Sequence, residues 1–242
     1  MGWAWELWEG FLELFFPPPA ACPICGEILP AGGEIPCRTC RSRVRRVEDP
    51  FCPRCARPLA VAGNCPGCRG KGLPFRQARA AGIYEGALRT ALHRFKYQGD
   101  TSLLPYLQQL LRECLAMHPL PEVDLVVPVP LHRSKEWERG FNQAALLAQG
   151  VARHLQKPVD YHSLVRKFPT PPTSSLSRRQ REKILRGAFA ARDRRLKGKT
   201  LLLVDDIFTT GSTAAGCAAA LLEGGAEAVY VVTVAVVNQV YQ

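Results

Sequence analysis

The segment Leu201-Leu-Leu-Val-Asp-Asp-Ile-Phe-Thr-Thr-Gly-Ser-Thr-Ala-Ala215 concentrates residues able to hold a small polar anion. An apolar run leads into two acids, Asp205 and Asp206, then into small hydroxyl residues around Gly211. At the carboxyl end of a strand, Thr209, Thr210, Gly211, Ser212 and Thr213 would turn backbone N–H groups and hydroxyls toward one point. The positive end of a following helix would lie there too, which suits a phosphate monoester. Gly211 allows the tight turn and close approach of backbone to ligand. One step earlier, the two carboxylates can accept the hydroxyl hydrogens of a cis-diol. Phosphate at one end and vicinal hydroxyls at the other describe ribose 5-phosphate. The plainer alternative, a strand ending in acids and a hydroxyl-capped helix, does not call for two acids directly after a buried apolar strand. No Gly-Lys-Ser/Thr occurs within Leu201–Ala215, so this segment is not a Walker A loop.

A second chemistry resides in the cysteines. Eight of the ten fall into CxxC pairs, Cys22/Cys25, Cys37/Cys40, Cys52/Cys55 and Cys65/Cys68. Two intervening residues aim both sulfurs at one metal, and two such knuckles complete the tetrahedral sulfur shell preferred by zinc. Gly26 follows the first knuckle, and Pro23, Pro53 and Pro66 sit inside three of them, where turn residues belong. The expectation is two zinc sites, Cys22/Cys25/Cys37/Cys40 and Cys52/Cys55/Cys65/Cys68. Spacing alone also permits the first knuckle to pair with the third, and iron–sulfur binding is a weaker alternative. With four protein ligands each, the zinc ions would be structural. A disulfide framework would need an oxidising compartment, and no export signal is evident. Cys114 and Cys217 lie in apolar helical contexts and read as core residues.

The net charge of +11 is local. Between Arg166 and Lys199 stand twelve Lys or Arg against Glu182 and Asp193, leaving the rest of the chain nearly neutral. Such a stretch can meet pyrophosphate or a nucleic-acid backbone, or simply be a solvated loop. The first sixteen residues carry Trp3, Leu7, Phe11, Leu14 and Phe15 on one helical stripe. Glu6, Glu9 and Glu13 interrupt it, which fits neither a secretory signal nor a membrane span. The expectation is a short helix docked on the protein, with loose membrane-surface association the less favoured alternative, stopped by Pro17–Pro19, in a cytoplasmic protein without a transmembrane segment.

These sites need a scaffold. After Gly70-Lys-Gly-Leu-Pro74, strands are expected at Ala78–Tyr84, Asp124–Val129, Thr200–Val204 and Ala228–Val237. Helices are expected at Ala87–Lys96, Leu103–Met117, Asn142–Gln156 and Ser212–Leu222. Alternation of this kind implies an α/β fold with a mostly parallel sheet covered on both faces. The domain division is residues 1–75 for the N-terminal helix and cysteine module and 76–242 for the α/β unit.

Val204-Asp-Asp-Ile-Phe-Thr-Thr-Gly-Ser-Thr213 resembles the phosphoribosyl-pyrophosphate motif of type I phosphoribosyltransferases at every key position. The whole chain is similar to the ComF/ComFC competence proteins, which join a double zinc ribbon to such a domain. The matching segments are Tyr84-Glu-Gly-Ala-Leu-Arg89, Phe95-Lys-Tyr97, Val127-Pro-Val-Pro-Leu131, Arg139-Gly-Phe-Asn-Gln143 and Arg181 to Phe189. Thr173 and Ile184 stand where the family pattern usually has Gln and Asn. The resemblance implies a sheet of the type I phosphoribosyltransferase kind, with Asp205 and Asp206 as the catalytic acids if the chain is an enzyme. It also implies a pyrophosphate loop at Pro130, Leu131 and His132, with Arg133, Lys135 and Arg139 as nearby cations. A lid over Arg166–Arg186 and Mg²⁺ accompanying phosphoribosyl pyrophosphate complete the implied site. The family role is DNA uptake in natural transformation, with single-stranded DNA and competence-machinery proteins as implied partners. A catalytically active phosphoribosyltransferase with an unidentified acceptor is the alternative, although no base-recognising hood is identifiable. Lys96 lies in a matched segment and reads equally as a substrate contact or a solvent-facing residue.

Overall fold

The structure is a computed structural model that describes residues 21–70, 72–168, 187–191 and 194–238. The helix expected in the first sixteen residues and the basic stretch 169–186 lie outside these. The strands are β1 (Ala78–Ile83), β2 (Leu125–Pro128), β3 (Leu164–Arg166), β4 (Phe189–Ala191), β5 (Thr200–Phe208) and β6 (Ala228–Val236). The α-helices are α1 (Arg38–Ser42), α2 (Gly86–Tyr97), α3 (Leu104–Met117), α4 (Arg133–Arg139), α5 (Gln143–Leu155) and α6 (Ser212–Glu223). Four strands form a parallel sheet in the order β1–β6–β5–β2, and β3 pairs antiparallel with β4 beside it.

The sheet is apolar on both faces because its central strands alternate one large side chain to each side. Leu201, Leu203, Val229 and Val231 enter one core, while Leu202, Val204, Val232 and Val234 enter the other. The second core is closed by α2, α3 and α5 through Leu88, Phe95, Leu107, Leu111, Leu147 and Val151. On the first side, Cys217 and Leu221 of α6 share the core with Phe75 and all four cysteines between Cys52 and Cys68. Each fully buried Leu or Phe contributes about 1.5–3 kcal/mol, so both faces are strongly specified.

Irregular segments line both margins of the sheet. Residues 45–47 run against β1, with the Ile83 amide donating to the Arg45 carbonyl (2.8 Å) and the Val47 amide to Ala81 (3.3 Å). Along β2, the Val126 amide donates to Pro158 (3.0 Å) and its carbonyl accepts from Asp160 (2.9 Å).

The expected strands and helices of the α/β unit are present within one or two residues at most ends. The main difference is β5, which continues beyond Val204 to Phe208. The long strand β6, rich in β-branched residues, supplies partners for the extension, pairing Asp205 with Thr233, Ile207 with Ala235 and Phe208 with Val236. The two acids therefore sit inside the strand, and the turn begins at Thr209.

Candidate functional site

The turn from Thr209 to Gly211 leaves β5 and enters α6 directly. Gly211 caps that helix with φ of +81°, a conformation that disfavours side chains. A Cβ there would also fall 2.6 Å from the Phe208 ring, so the turn is folded tightly over that aromatic. Phe208 in turn meets Phe75 edge-on at 6.0 Å. The Ser212 amide donates to the Thr210 hydroxyl (3.3 Å), and the Thr210 and Ser212 hydroxyls bond each other at 2.8 Å. Asp205, Phe208, Thr209, Gly211, Thr213 and Thr233 line a shallow depression at this place. Hydroxyls and the first N–H groups of α6 thus gather at the positive end of a twelve-residue helix.

Behind the turn, the Asp206 carboxylate accepts from Lys96 Nζ at 2.8 Å. Lys96 is in the last turn of α2. Burial pulls its ammonium down, but Asp206 and then Asp205 outweigh that and hold the pKa above its ordinary value. The Asp206 amide donates to Asp205 Oδ1 at 2.9 Å, so the two acids are tied locally. Burial, and next the charge of Asp206, raise the Asp205 carboxyl to about 7. Arg166 of β3 and Cys217 of α6 both feel the Asp205 charge. The result is one acid balanced by an ammonium and a second poised to be either donor or acceptor near neutral pH. Lys96 faces the acids, which removes the solvent-facing reading of this residue.

The neighbouring strand β2 delivers a second turn to the same sheet end, because the Val129 amide bonds the Val204 carbonyl at 2.9 Å. Pro130, Leu131 and His132 follow. The His132 ring caps α4, its Nδ1 lying 3.3 Å from the Ser134 amide and 2.8 Å from the Ser134 hydroxyl. Asn142 ties the turn to α5: its Oδ1 caps that helix and its Nδ2 donates to the Val129 carbonyl (3.1 Å).

The cysteines gather in consecutive order. Cys22, Cys25, Cys37 and Cys40 form one group and Cys52, Cys55, Cys65 and Cys68 another, with all sulfurs of a group within 4.8 Å of each other. Cys25 and Cys37 sulfurs are 3.7 Å apart and those of Cys55 and Cys65 3.6 Å. A tetrahedron with ~2.3 Å metal–sulfur bonds has edges of roughly 3.8 Å, so both groups fit zinc. No disulfide joins them. Backbone amides also point at the sulfurs, Cys37 at Cys22 and Cys65 at Cys52, each at 3.4 Å. Cys114 and Cys217 are buried core thiols that burial pushes up, Cys114 to about 11.

Residues 11–69 match the family model "Double zinc ribbon domain", and residues 142–241 match "Phosphoribosyl transferase domain". DNA utilization protein YhgH of Escherichia coli K12 is 33% identical over 88% of this chain and 95% of its own length. Competence protein ComFC of Bacillus subtilis is 30% identical, covering 79% of this chain and 80% of that one. Competence protein F of Haemophilus influenzae is also 30% identical, over 73% and 80%. The chain belongs to the ComF/ComFC family. Among solved structures, the glutamine phosphoribosylpyrophosphate amidotransferase of B. subtilis is similar, at 25% identity over 52% of this chain and 26% of that one, with a TM-score of 0.36. The two groups of four cysteines are the structural zinc sites of the family's double ribbon. Its other half is the phosphoribosyltransferase domain with a mostly parallel sheet.

Of the residues singled out for the ComF-family site, the structure brings Asp205, Asp206 and Thr209–Thr213 together on one strand–turn–helix. Pro130, Leu131 and His132 stand on the adjacent strand end. The cations of α4 are distributed differently. Arg139 lies 5.2 Å over the Tyr97 ring and donates to Gln143 (3.1 Å), whose amide reaches the Lys96 carbonyl (3.4 Å). Arg133 and Lys135 are on the exposed side, Lys135 paired with Glu138 at 2.9 Å. Sequence reading left the engagement of Lys96 with Asp206 unresolved and missed the anchoring by Asn142. For Asn142 a signal existed, an amide residue just before an apolar helical run.

Proposed function

We propose that this ComF-family chain binds phosphoribosyl pyrophosphate, or a related ribose 5-phosphate, and acts in DNA uptake in contact with single-stranded DNA. The observation that carries the ligand reading is the Gly211 turn. Its hydroxyls and helix N-terminus lie at the carboxyl end of β5, the strand that carries Asp205 and Asp206. A phosphate fits the turn and the ribose diol fits the acids, with Lys96 supplying a cation beside them. Mg²⁺ would accompany the pyrophosphate, and the two carboxylates are the hard oxygen donors suited to it. The DNA reading is supported by the names of the relatives, a DNA utilization protein and two competence proteins, and by the basic stretch of the sequence.

Calorimetric titration with phosphoribosyl pyrophosphate, with and without Mg²⁺, tests the ligand. Binding is expected in the wild type and a loss of about a hundredfold in Asp205→Asn/Asp206→Asn, the size of two charge-assisted hydrogen bonds. An unchanged isotherm in that variant would remove the reading. For DNA, affinity should fall steeply with salt and the slope should flatten when Arg178 and Arg179 are replaced. The enzyme alternative predicts pyrophosphate release when a base or amine acceptor is supplied, which binding alone does not.

A further inference from the structure

We propose that Arg57, a residue of the second zinc ribbon, is a positioning residue for the phosphate turn. Arg57 is buried, at 3% exposure for the whole residue, and lies 152 positions from the turn it reaches. Nε donates to the Val237 carbonyl at 3.2 Å, Nη2 donates to the Thr209 carbonyl, and Nη1 lies 3.9 Å from Cys55 Sγ. The backbone of Arg57 is itself part of the metal knuckle. The Cys52 amide bonds its carbonyl at 2.8 Å, and the Ala56 amide closes on Cys52 at 2.8 Å.

The place of these contacts gives them their meaning. The last backbone rung between the central strands runs from the Val237 amide to the Phe208 carbonyl, at 2.9 Å. Beyond it the chains part, Thr209 into the turn and Val237 past the end of β6. The guanidinium spans the next two carbonyls and so continues the ladder by one rung, using a side chain. In a trans peptide the carbonyl and the following amide point in opposite directions. Holding the Thr209 carbonyl toward Arg57 therefore aims the Thr210 N–H away from Arg57, and with it the first donor of the turn. A lysine cannot do this equally, since its single ammonium lacks the planar fork that reaches both carbonyls.

Charge explains why so buried a cation is tolerated. A zinc ion with four thiolates carries two net negative charges, and the guanidinium beside Cys55 offsets part of them. Metal, arginine and turn are thus one electrostatic unit, in which second-cluster zinc fixes the knuckle and the knuckle fixes Arg57. This inference rests on the reading of Thr209–Thr213 as a phosphate turn, yet its mechanical part can be measured without ligand.

Hydrogen exchange of the full-length, zinc-loaded protein tests it. In Arg57→Ala, exchange of the Ser212 amide, the bonded one within 209–213, should accelerate about ten- to hundredfold, as for one lost charge-assisted hydrogen bond. Exchange in 200–208 and 228–236 and a zinc content of two per chain should be retained. Arg57→Lys should give a smaller acceleration, and it serves as the folded comparison where Arg57→Ala is unstable. Glu27→Ala, the counterpart in the first ribbon, should leave 209–213 as in the wild type. Ribose 5-phosphate affinity should fall in the same order across the variants. Unchanged exchange at 209–213 in both Arg57 variants, or equal loosening in Glu27→Ala, overturns the proposal. If the wild type fails to bind ribose 5-phosphate, the ligand reading falls while the exchange data still decide the role of Arg57.

Discussion

The two ribbons are built alike and used differently. Each first knuckle is closed by an antiparallel bridge, Ala21 with Ile28 and Phe51 with Pro58. In each, the leading cysteine amide bonds a carbonyl five residues on, Glu27 or Arg57, at 2.8 Å. The surroundings then diverge. The first ribbon keeps a small core of its own, Cys22, Leu29, Cys37 and Cys40, and leaves Cys25 and Glu27 exposed. Arg41 and Arg46 after it hold Gln109 and Glu113 of α3 through polar contacts. The second ribbon buries all four cysteines in the same core as β5 and α6, and its Arg57 is buried as well. An identical metal knuckle can therefore be an attached module or a piece of the main core. Which it becomes depends on the few residues around the sulfurs.

The largest test of this contrast removes one ligand from each site. Cys55→Ser should release the second zinc and open the shared core, lowering the melting temperature by more than about 10 °C or preventing soluble folding. Cys25→Ser should also reduce zinc to about one per chain, but with a melting shift of only a few degrees. Metal analysis with thermal unfolding reads both, and equal shifts would abolish the distinction between module and core.

A smaller effect separates the ribbons from the electrostatics of the site. Asp205 has its pKa raised from 3.8 to about 7 by burial and by Asp206. The folded state therefore holds this proton more tightly than the unfolded chain. The associated stability is complete below about pH 4 and is lost as pH rises through about 7. Asp205→Asn should accordingly gain stability over the wild type between pH 5 and 8, by several °C at roughly 2–4 °C per kcal/mol. Thermal unfolding across pH checks it. A difference that shrinks as pH rises would show the sign to be wrong.

The smallest effect lies at the knuckle itself. Gly26 and Ala56 occupy the same place in the two ribbons, with φ of +77° and +59°. Only glycine adopts this region without cost, and an L-residue there loses about 1–2 kcal/mol. Ala56→Gly should stabilise by about 1 kcal/mol and Gly26→Ala should destabilise by a similar amount, measured by urea titration. Because the second ribbon is coupled to the core, its change should appear in global unfolding. The Gly26 change should appear mainly in local zinc release.

Legibility in the sequence followed the range of the interactions. The zinc groups were readable because each ligand pair is four residues long, and their consecutive pairing was one of the arrangements that spacing allowed. Helix positions followed from periodicity and strand positions from near-continuous apolar runs, as in Leu201–Val204 and Val229–Val234, which mark strands buried on both faces. The end of β5 did not, because Asp205 and Asp206 look like a strand terminus until Thr233 and Ala235 are known to pair alongside. Short elements such as α4 and the β3–β4 pair carry too few residues to show a period. Arg57 left no local trace at all. Its significance depends on two carbonyls far along the chain, and carbonyls are the same in every residue.

The covered margins of the sheet restrict how this protein can assemble. Residues 45–47 occupy the outer side of β1, and Pro158–Asp160 occupy that of β2. Neither border strand of the four-stranded sheet presents a continuous unpaired row of amides and carbonyls among the described residues, which disfavours strand addition to that sheet by a second copy or an extended peptide. Association at either margin of this sheet must therefore be made through side-chain complementarity instead of continuation of the backbone ladder.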